Sequence, residues 1–255
     1  MIILLSPAKT LETNPEQKRI NPTEPVFRKQ AQYLAGLLKK YTIEELSELF
    51  SVNSDLARLN FQRFHLWQGN FETWAYAPAL LTFKGEVFRG AESWNLSEKD
   101  LNYAQDHLRI LSGLFGVLAP LDNIQPYRLE MGIPLSNRRG ENLYLFWRKT
   151  LTNYFKQFIR QEGSGIIINL ASKEYTKAIE LKSLNARVLE LSFKDFHNGT
   201  YKFLTVYGKH ARGLMTRFII QNQIEETEQL KAFDLGAYVF NEKLSKSNNL
   251  TFTRG

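Results

Sequence analysis

Apolar residues open the chain without a break. Met1–Leu5 (MIILL) predicts a short buried strand. The polar stretch that follows carries Pro7, Pro15, Pro22 and Pro25, which bar a helix interior and predict an extended loop. The spacing then changes: Phe27, Ala31, Leu34 and Leu38 recur at helical intervals, predicting an amphipathic helix over Val26–Lys40. Two more helices are predicted at Ile43–Phe50 and Ser54–Trp67, and another starts at Ser97, where Ser-Glu-Lys-Asp gives an N-terminal signal. Leu108–Leu111 reads as a buried strand and Leu143–Ile159 as a long helix rich in aromatic residues. Gly165–Leu170 (GIIINL) predicts a second buried strand, with a helix at Ser172–Leu181 behind it. Ala186–Phe193 and Tyr201–Tyr207 read as strands joined through His197-Asn198-Gly199, since Asn-Gly is a strong hairpin signal. A helix over Lys209–Gln223 and a last strand pair, Tyr238–Phe240 with Leu250–Phe252, complete the series. Strands and helices mix along the whole chain, with no repeat, low-complexity tract or linker. The expectation is a single α/β domain over residues 1–255, with a mixed sheet flanked by helices.

Composition narrows the function classes. Hydrophobic residues make up 43% and charged residues 23% of the 255, which is ordinary for a protein with a buried core. No apolar run approaches the ~20 residues of a membrane span, and the start lacks a basic region, so neither an anchor nor a signal peptide is expected. There are no cysteines, which excludes disulfides and thiolate metal sites and fits a reducing cytoplasm. His65, His107, His197 and His210 are scattered, without metal-ligand spacing, so no metal or cofactor is expected. Lys and Arg exceed Asp and Glu by 33 to 26, giving a net charge of +7 that favours polyanions over membranes as partners.

Four stretches carry candidate chemistry. In LSELFSVNSDLARLNFQRF (Leu46–Phe64) two helices flank a tight turn at Ser51-Val52-Asn53. The pattern is similar to a helix-hairpin-helix element, about residues 43–67, whose hairpin offers backbone N–H groups to a DNA phosphate. Val52 would be its apolar plug, and Ser51 and Asn53 stand where such hairpins carry glycine. The alternative is an ordinary packed helix pair, with Asn53 or Ser54 as the cap. On the second helix Leu56, Leu59 and Trp67 mark an apolar face into which Asn60 and Arg63 fall, so these polar groups must be paired or border a polar cleft. In KHARGLMTR, Lys209, Arg212 and Thr216 lie opposite the apolar face, and Gly213 leaves a gap for a close approach. NLASKEY and SPAKT both follow strands, placing Ser172, Lys173 and Lys9 at strand carboxyl ends, where open α/β sheets bind ligands.

Together SPAKT, LARLNFQRF, PALLTFKGEVFRG, LRILSGLFGVLAPLDNIQPYRLEMG, LYLFW, NLASKEY and KHARGLMTRF resemble the YaaA family of bacterial peroxide-stress proteins, in order, from Met1 to near Arg254. Phe88 and Phe115 stand where many members have Tyr, and His210 where a second Lys is usual. The resemblance implies an unusual fold and protection against hydrogen peroxide by lowering free intracellular iron. It also implies binding of double-stranded and branched DNA through a basic cleft and a helix-hairpin-helix element. That cleft would draw on Lys9, Ser51, Val52, Asn53, Ser54, Arg63, Arg128, Lys173, Lys209 and Arg212.

PYRLEMG (Pro126–Gly132) sets Arg128 and Glu130 directly after an almost wholly apolar run. Two-residue spacing in an extended segment puts both on one side, as a pair within the cleft or as a buried ion pair that fixes the fold. An enzyme acting on a nucleobase is the alternative to a binding protein, with Glu130 or Glu174 as its acid–base group.

Overall fold

The computed structural model describes residues 1–12, 21–68 and 77–255. Pro15 therefore lies outside the described residues. In chain order the strands are β1 (Ile2–Leu5), β2 (Thr10–Leu11), β3 (Ala77–Pro78), β4 (Phe83–Lys84), β5 (Leu108–Ser112), β6 (Gly116–Leu118), β7 (Asn123–Ile124), β8 (Ile166–Asn169), β9 (Arg187–His197), β10 (Thr200–Lys202), β11 (Val239–Phe240) and β12 (Asn249–Arg254). The helices are α1 (Arg28–Leu38), α2 (Ile43–Phe50), α3 (Ser54–His65), α4 (Ala79–Thr82), α5 (Glu86–Ala91), α6 (Glu98–His107), α7 (Leu143–Glu162), α8 (Lys173–Thr176) and α9 (Thr205–Asn222).

One mixed sheet of eight strands organises the molecule, in the order β11-β12-β9-β8-β1-β5-β6, with β10 paired to β9. The pairs β5–β1, β1–β8, β8–β9 and β9–β12 are parallel, whereas β6, β10 and β11 run antiparallel to their neighbours. Ile2–Leu5 and Leu108–Ser112 are buried along their whole length, as expected of parallel strands covered on both faces. The Asn198-Gly199 hairpin forms as the sequence predicts, with positive φ at both residues (50° and 79°), the geometry of a type I′ turn.

Several boundaries differ from the sequence expectation. The segment read as a strand to Tyr207 pairs only over Thr200–Lys202, and α9 begins at Thr205. The helix expected over Ser172–Leu181 is one turn at Lys173–Thr176, followed by a 3₁₀ turn at Leu181–Ser183. The apolar face expected of α3 is also different: Leu56 and Leu59 are 39% and 40% exposed, and Ala57, Asn60 and Phe64 face inward. Phe64 packs against Phe50 of α2, so the contact between α2 and α3 selects that stripe. No helix among the described residues is long and apolar enough to cross a membrane.

Gly213 opens no gap to solvent, because α5 fills it. A Cβ at Gly213 would lie 1.9 Å from the Val87 carbonyl oxygen, and one at Gly90 would lie 2.2 Å from that of His210. The two glycines let the backbones of α5 and α9 touch, and Thr216 is buried beneath the same crossing. This crossing fixes the rotation of α9 and so the direction of Lys209 and Arg212. Gly213→Ala must separate the helices, a clash costing on the order of 1–3 kcal/mol. Thermal unfolding should show a midpoint lower by about 2–12 °C; an unchanged midpoint would mean that the crossing is not close-packed.

Candidate functional site

Since β1, β5 and β8 are parallel, the segments leaving them, starting at Ser6, Gly113 and Leu170, emerge at one edge of the sheet. Pro126–Gly132 is laid across this edge by two local devices. The Tyr127 hydroxyl meets Ser112 Oγ at 2.6 Å, and Ser112 Oγ also accepts from the Phe115 amide. Gly113 supplies the second: a Cβ there would stand 2.2 Å from the Leu129 carbonyl oxygen, so only glycine lets the segment approach. The segment forms no regular strand, but Arg128 and Glu130 do share a side.

Glu130 is the centre of the site. Its Oε1 accepts from Arg128 Nη2 at 2.8 Å and faces Lys9 Nζ at 3.1 Å. Glu130 is buried, while Lys9 reaches in from solvent. Glu130 Oε2 and Arg128 Nε, both buried, find no hydrogen-bond partner among the described residues. Burial holds the Arg63 guanidinium below its ordinary pKa, and the positive charge of Arg128 lowers it further, so Arg63 feels the cation that Glu130 holds. Arg63 also donates to Asn60 Oδ1 at 3.3 Å, while Asn60 Nδ2 donates to the Leu56 carbonyl. The polar residues on α3 are thus paired with each other, and Arg63 lies within the field of the cleft. Tyr127 and Tyr175 wall the same pocket. Burial pushes both phenols up, and nearby carboxylates, Glu130 among them, add to the shift, so both stay protonated. The space between them is only about 10 Å³, room for roughly one water molecule.

The remaining candidates extend outward from this centre. The Ser172 amide donates to Ser6 Oγ at 2.8 Å, which ties the ends of β1 and β8 together. Ser172 stands at the N-cap of α8 without capping it through its side chain. Lys173 is exposed beside it, and Glu174 Oε1 accepts from the Gly132 amide at 3.1 Å. Glu174 therefore secures the segment that carries Glu130. Farther along the edge, Asn169 donates to the Glu190 carboxylate. Burial lowers the pKa of Arg212, with Glu190 opposing the shift, and Arg212 Nε is buried without a hydrogen-bond partner among the described residues. Lys209 is exposed one turn before it.

The turn between α2 and α3 is a separate feature. Ser51 adopts a left-handed conformation (φ 50°), and the N–H groups of Ser51 and Val52 bond to the carbonyls of Glu48 and Ser47. Asn53 Oδ1 caps α3 by accepting from the Leu56 amide. Two of the hairpin amides are thus engaged within the helix pair, and Ser54 opens α3 about 14 Å from Arg63 along the helix. Nothing in the sequence ranked Ser6, Ser112, Asn169, Tyr175 or Glu190 as participants. Ser6, Ser112 and Asn169 carried the signal of position at a strand end, whereas Tyr175, within α8, and Glu190, within β9, carried none.

A family model for the peroxide stress protein YaaA matches residues 1–244 of the chain. The chain belongs to the peroxide stress protein YaaA family. The match spans every element that builds the site, from SPAKT through NLASKEY to KHARGLMTR. In this YaaA-family protein the charge pattern of the edge yields a direct expectation. Glu130→Gln leaves Arg128 and Lys9 without their carboxylate, with Arg63 still in the field of Arg128. Breaking a buried pair of this kind costs on the order of 3 kcal/mol, a fall of about 6–12 °C in the unfolding midpoint. Added phosphate should recover more of this loss in Glu130→Gln than it adds to the wild type, because an anion replaces the carboxylate. Equal gains for both proteins would show that Glu130 does not balance these cations.

Proposed function

We propose that this YaaA-family protein meets peroxide stress at the DNA itself, holding duplex or branched DNA by its phosphates along the carboxyl edge of the sheet. Binding would be insensitive to sequence, and limitation of free iron is the wider role in which it acts. The observation that carries this reading is the unbalanced charge of the edge. Burial and then the positive charge of Arg128 lower the pKa of Arg63, and Arg128 and Arg212 each keep a buried Nε–H without a hydrogen-bond acceptor among the described residues. Phosphate oxygens are the acceptors that suit such groups, since guanidinium–phosphate bonds are charge-assisted and can be bidentate. Lys9, Lys173 and Lys209, all exposed, add point charges along the same edge. The Ser51–Ser54 turn would contribute at most the amides beyond Val52.

Among the described residues no group of three or more His, Asp or Glu is arranged to hold a metal ion, so the proposal assigns the protein no iron ligation of its own. An enzyme acting on a nucleobase is the competing reading. It requires Lys9 to swing away and the pocket beside Glu130 to open, because about 10 Å³ does not admit a base.

Binding to a fluorescent duplex across a salt series tests the proposal. Affinity should fall steeply with salt and be alike for unrelated sequences. Lys173→Gln and Lys209→Gln, both on the surface, should each weaken binding uniformly and reduce the salt slope by about one. Unchanged slopes, or a loss confined to one sequence, would contradict it.

A further inference from the structure

The hairpin of β9 and β10 does more than close the sheet. The last register pair of β8 with β9 is Asn169 with Glu190, yet β9 continues to His197. Seven further residues at strand rise carry it about 23 Å past the end of β8. The projection is supported by β12, which pairs with β9 up to Arg254 opposite Asp195, and by β10. The result is an arm standing beyond the same edge from which Lys9, Lys173 and Glu174 emerge.

This arm presents apolar surface to solvent. Phe196, Phe203, Val206 and Tyr207 are each half exposed or more, and all four fall within one short stretch at the arm and the first turn of α9. Burial does not explain them; their setting is rigid nonetheless. Phe203 lies against Gly208, where a Cβ would meet the ring at 2.2 Å, and the Arg212 guanidinium sits 5.7 Å from its centroid. Tyr207 is backed by Arg254, 4.8 Å from its ring, which is itself held by Asp195. The surroundings are cationic. Lys194, Lys202, Lys209 and Arg212 lie between residues 194 and 212, where Asp195 is the sole acid and is taken by Arg254.

We propose that Phe203 and Tyr207 form a stacking platform for unpaired DNA bases, so that the protein holds a bulge or branch point with a base on the arm and the flanking phosphates on Lys209 and Arg212. This rests on the DNA-binding reading above. Exposed aromatic rings set in a basic groove are the arrangement by which proteins hold unpaired bases without reading them. The positive rim selects a polyanion over a second copy of this chain, which would bring like charge against like. Arg212 joins the arm to the strand ends, lying 5.7 Å from the Phe203 ring and within the field of Glu190, which Asn169 holds.

The test compares a blunt duplex with a duplex of the same length that carries a single-base bulge containing 2-aminopurine. The wild type should bind the bulged DNA more tightly, on the order of tenfold, and quench the 2-aminopurine through stacking. Phe203→Leu and Tyr207→Leu should each reduce both the preference and the quench while leaving blunt-duplex affinity unchanged, and Phe203→Trp should restore them. Equal affinity of the wild type for the two DNAs, or a parallel loss on both in the leucine variants, overturns the platform and leaves backbone binding standing. Failure to bind either DNA overturns backbone binding as well. A dimer that the leucine variants convert to monomer, with base preference unaltered, also overturns the platform and identifies a self-association surface.

Discussion

In the ladder β5–β1–β8 the strands run parallel and are covered on both faces, so a charge inside the sheet must be fully paired: Arg109 of β5 is buried and donates to the Tyr154 hydroxyl and to the carbonyls of Gln105 and Leu108. Apart from Arg109, the buried residues of these strands, Ile2–Leu5, Leu108, Ile110, Leu111, Ile167 and Ile168, are apolar until the strands stop. Parallel pairing then sends all the stops to one edge. Ser6, Ser112 and Asn169 are the first polar side chains there, and each ties down a neighbouring segment: Ser6 the Ser172 amide, Ser112 the ring of Tyr127, and Asn169 the Glu190 carboxylate. The cleft is the direct consequence of strand direction.

What the edge holds is an imbalance. Glu130 can neutralise one cation fully, but it faces both Arg128 and Lys9, and Arg63 lies within the field of Arg128. Arg212 is partly buried against Phe203, with the charge of Glu190 opposing its desolvation. Structural ion pairs inside proteins usually close their own accounts of charge and hydrogen bonds, since desolvating an unmatched ion is costly. This site leaves guanidinium donors over, as a surface waiting for an anion does. The long arm of β9 extends it in a different chemical direction, adding exposed aromatic surface next to Lys209 and Arg212.

Much of this was legible in the residues. MIILL, Leu108–Leu111, GIIINL and Asn198-Gly199 gave the three central parallel strands and the hairpin, because burial on both faces and positive φ leave unambiguous marks on sequence. The pairing of Arg128 with Glu130 was readable from their spacing, although which groups surround them was not. Three features resisted for a physical reason each. Gly213 looked like an opening because its partner, Gly90, is more than a hundred residues away and only tertiary contact joins them. Leu56 and Leu59 looked like core because α3 contacts its neighbours through a narrow stripe, with Ala57 and Phe64 taking the inward positions. Tyr201–Tyr207 looked like a strand because its aromatic and β-branched residues favour strands, yet they are surface residues of the arm and of the first turn of α9.

The most direct measurement of the central claim is a lysine footprint. The protein is acetylated briefly, with and without duplex DNA at low salt, and protection is read at each lysine by mass spectrometry. Lys9, Lys173 and Lys209, at the carboxyl edge, should be protected, whereas Lys182 and Lys246, exposed near the amino ends of β9 and β12, should react as in the free protein. Protection spread evenly over both edges, or confined to Lys182 and Lys246, would contradict the claim that the strand ends hold the nucleic acid.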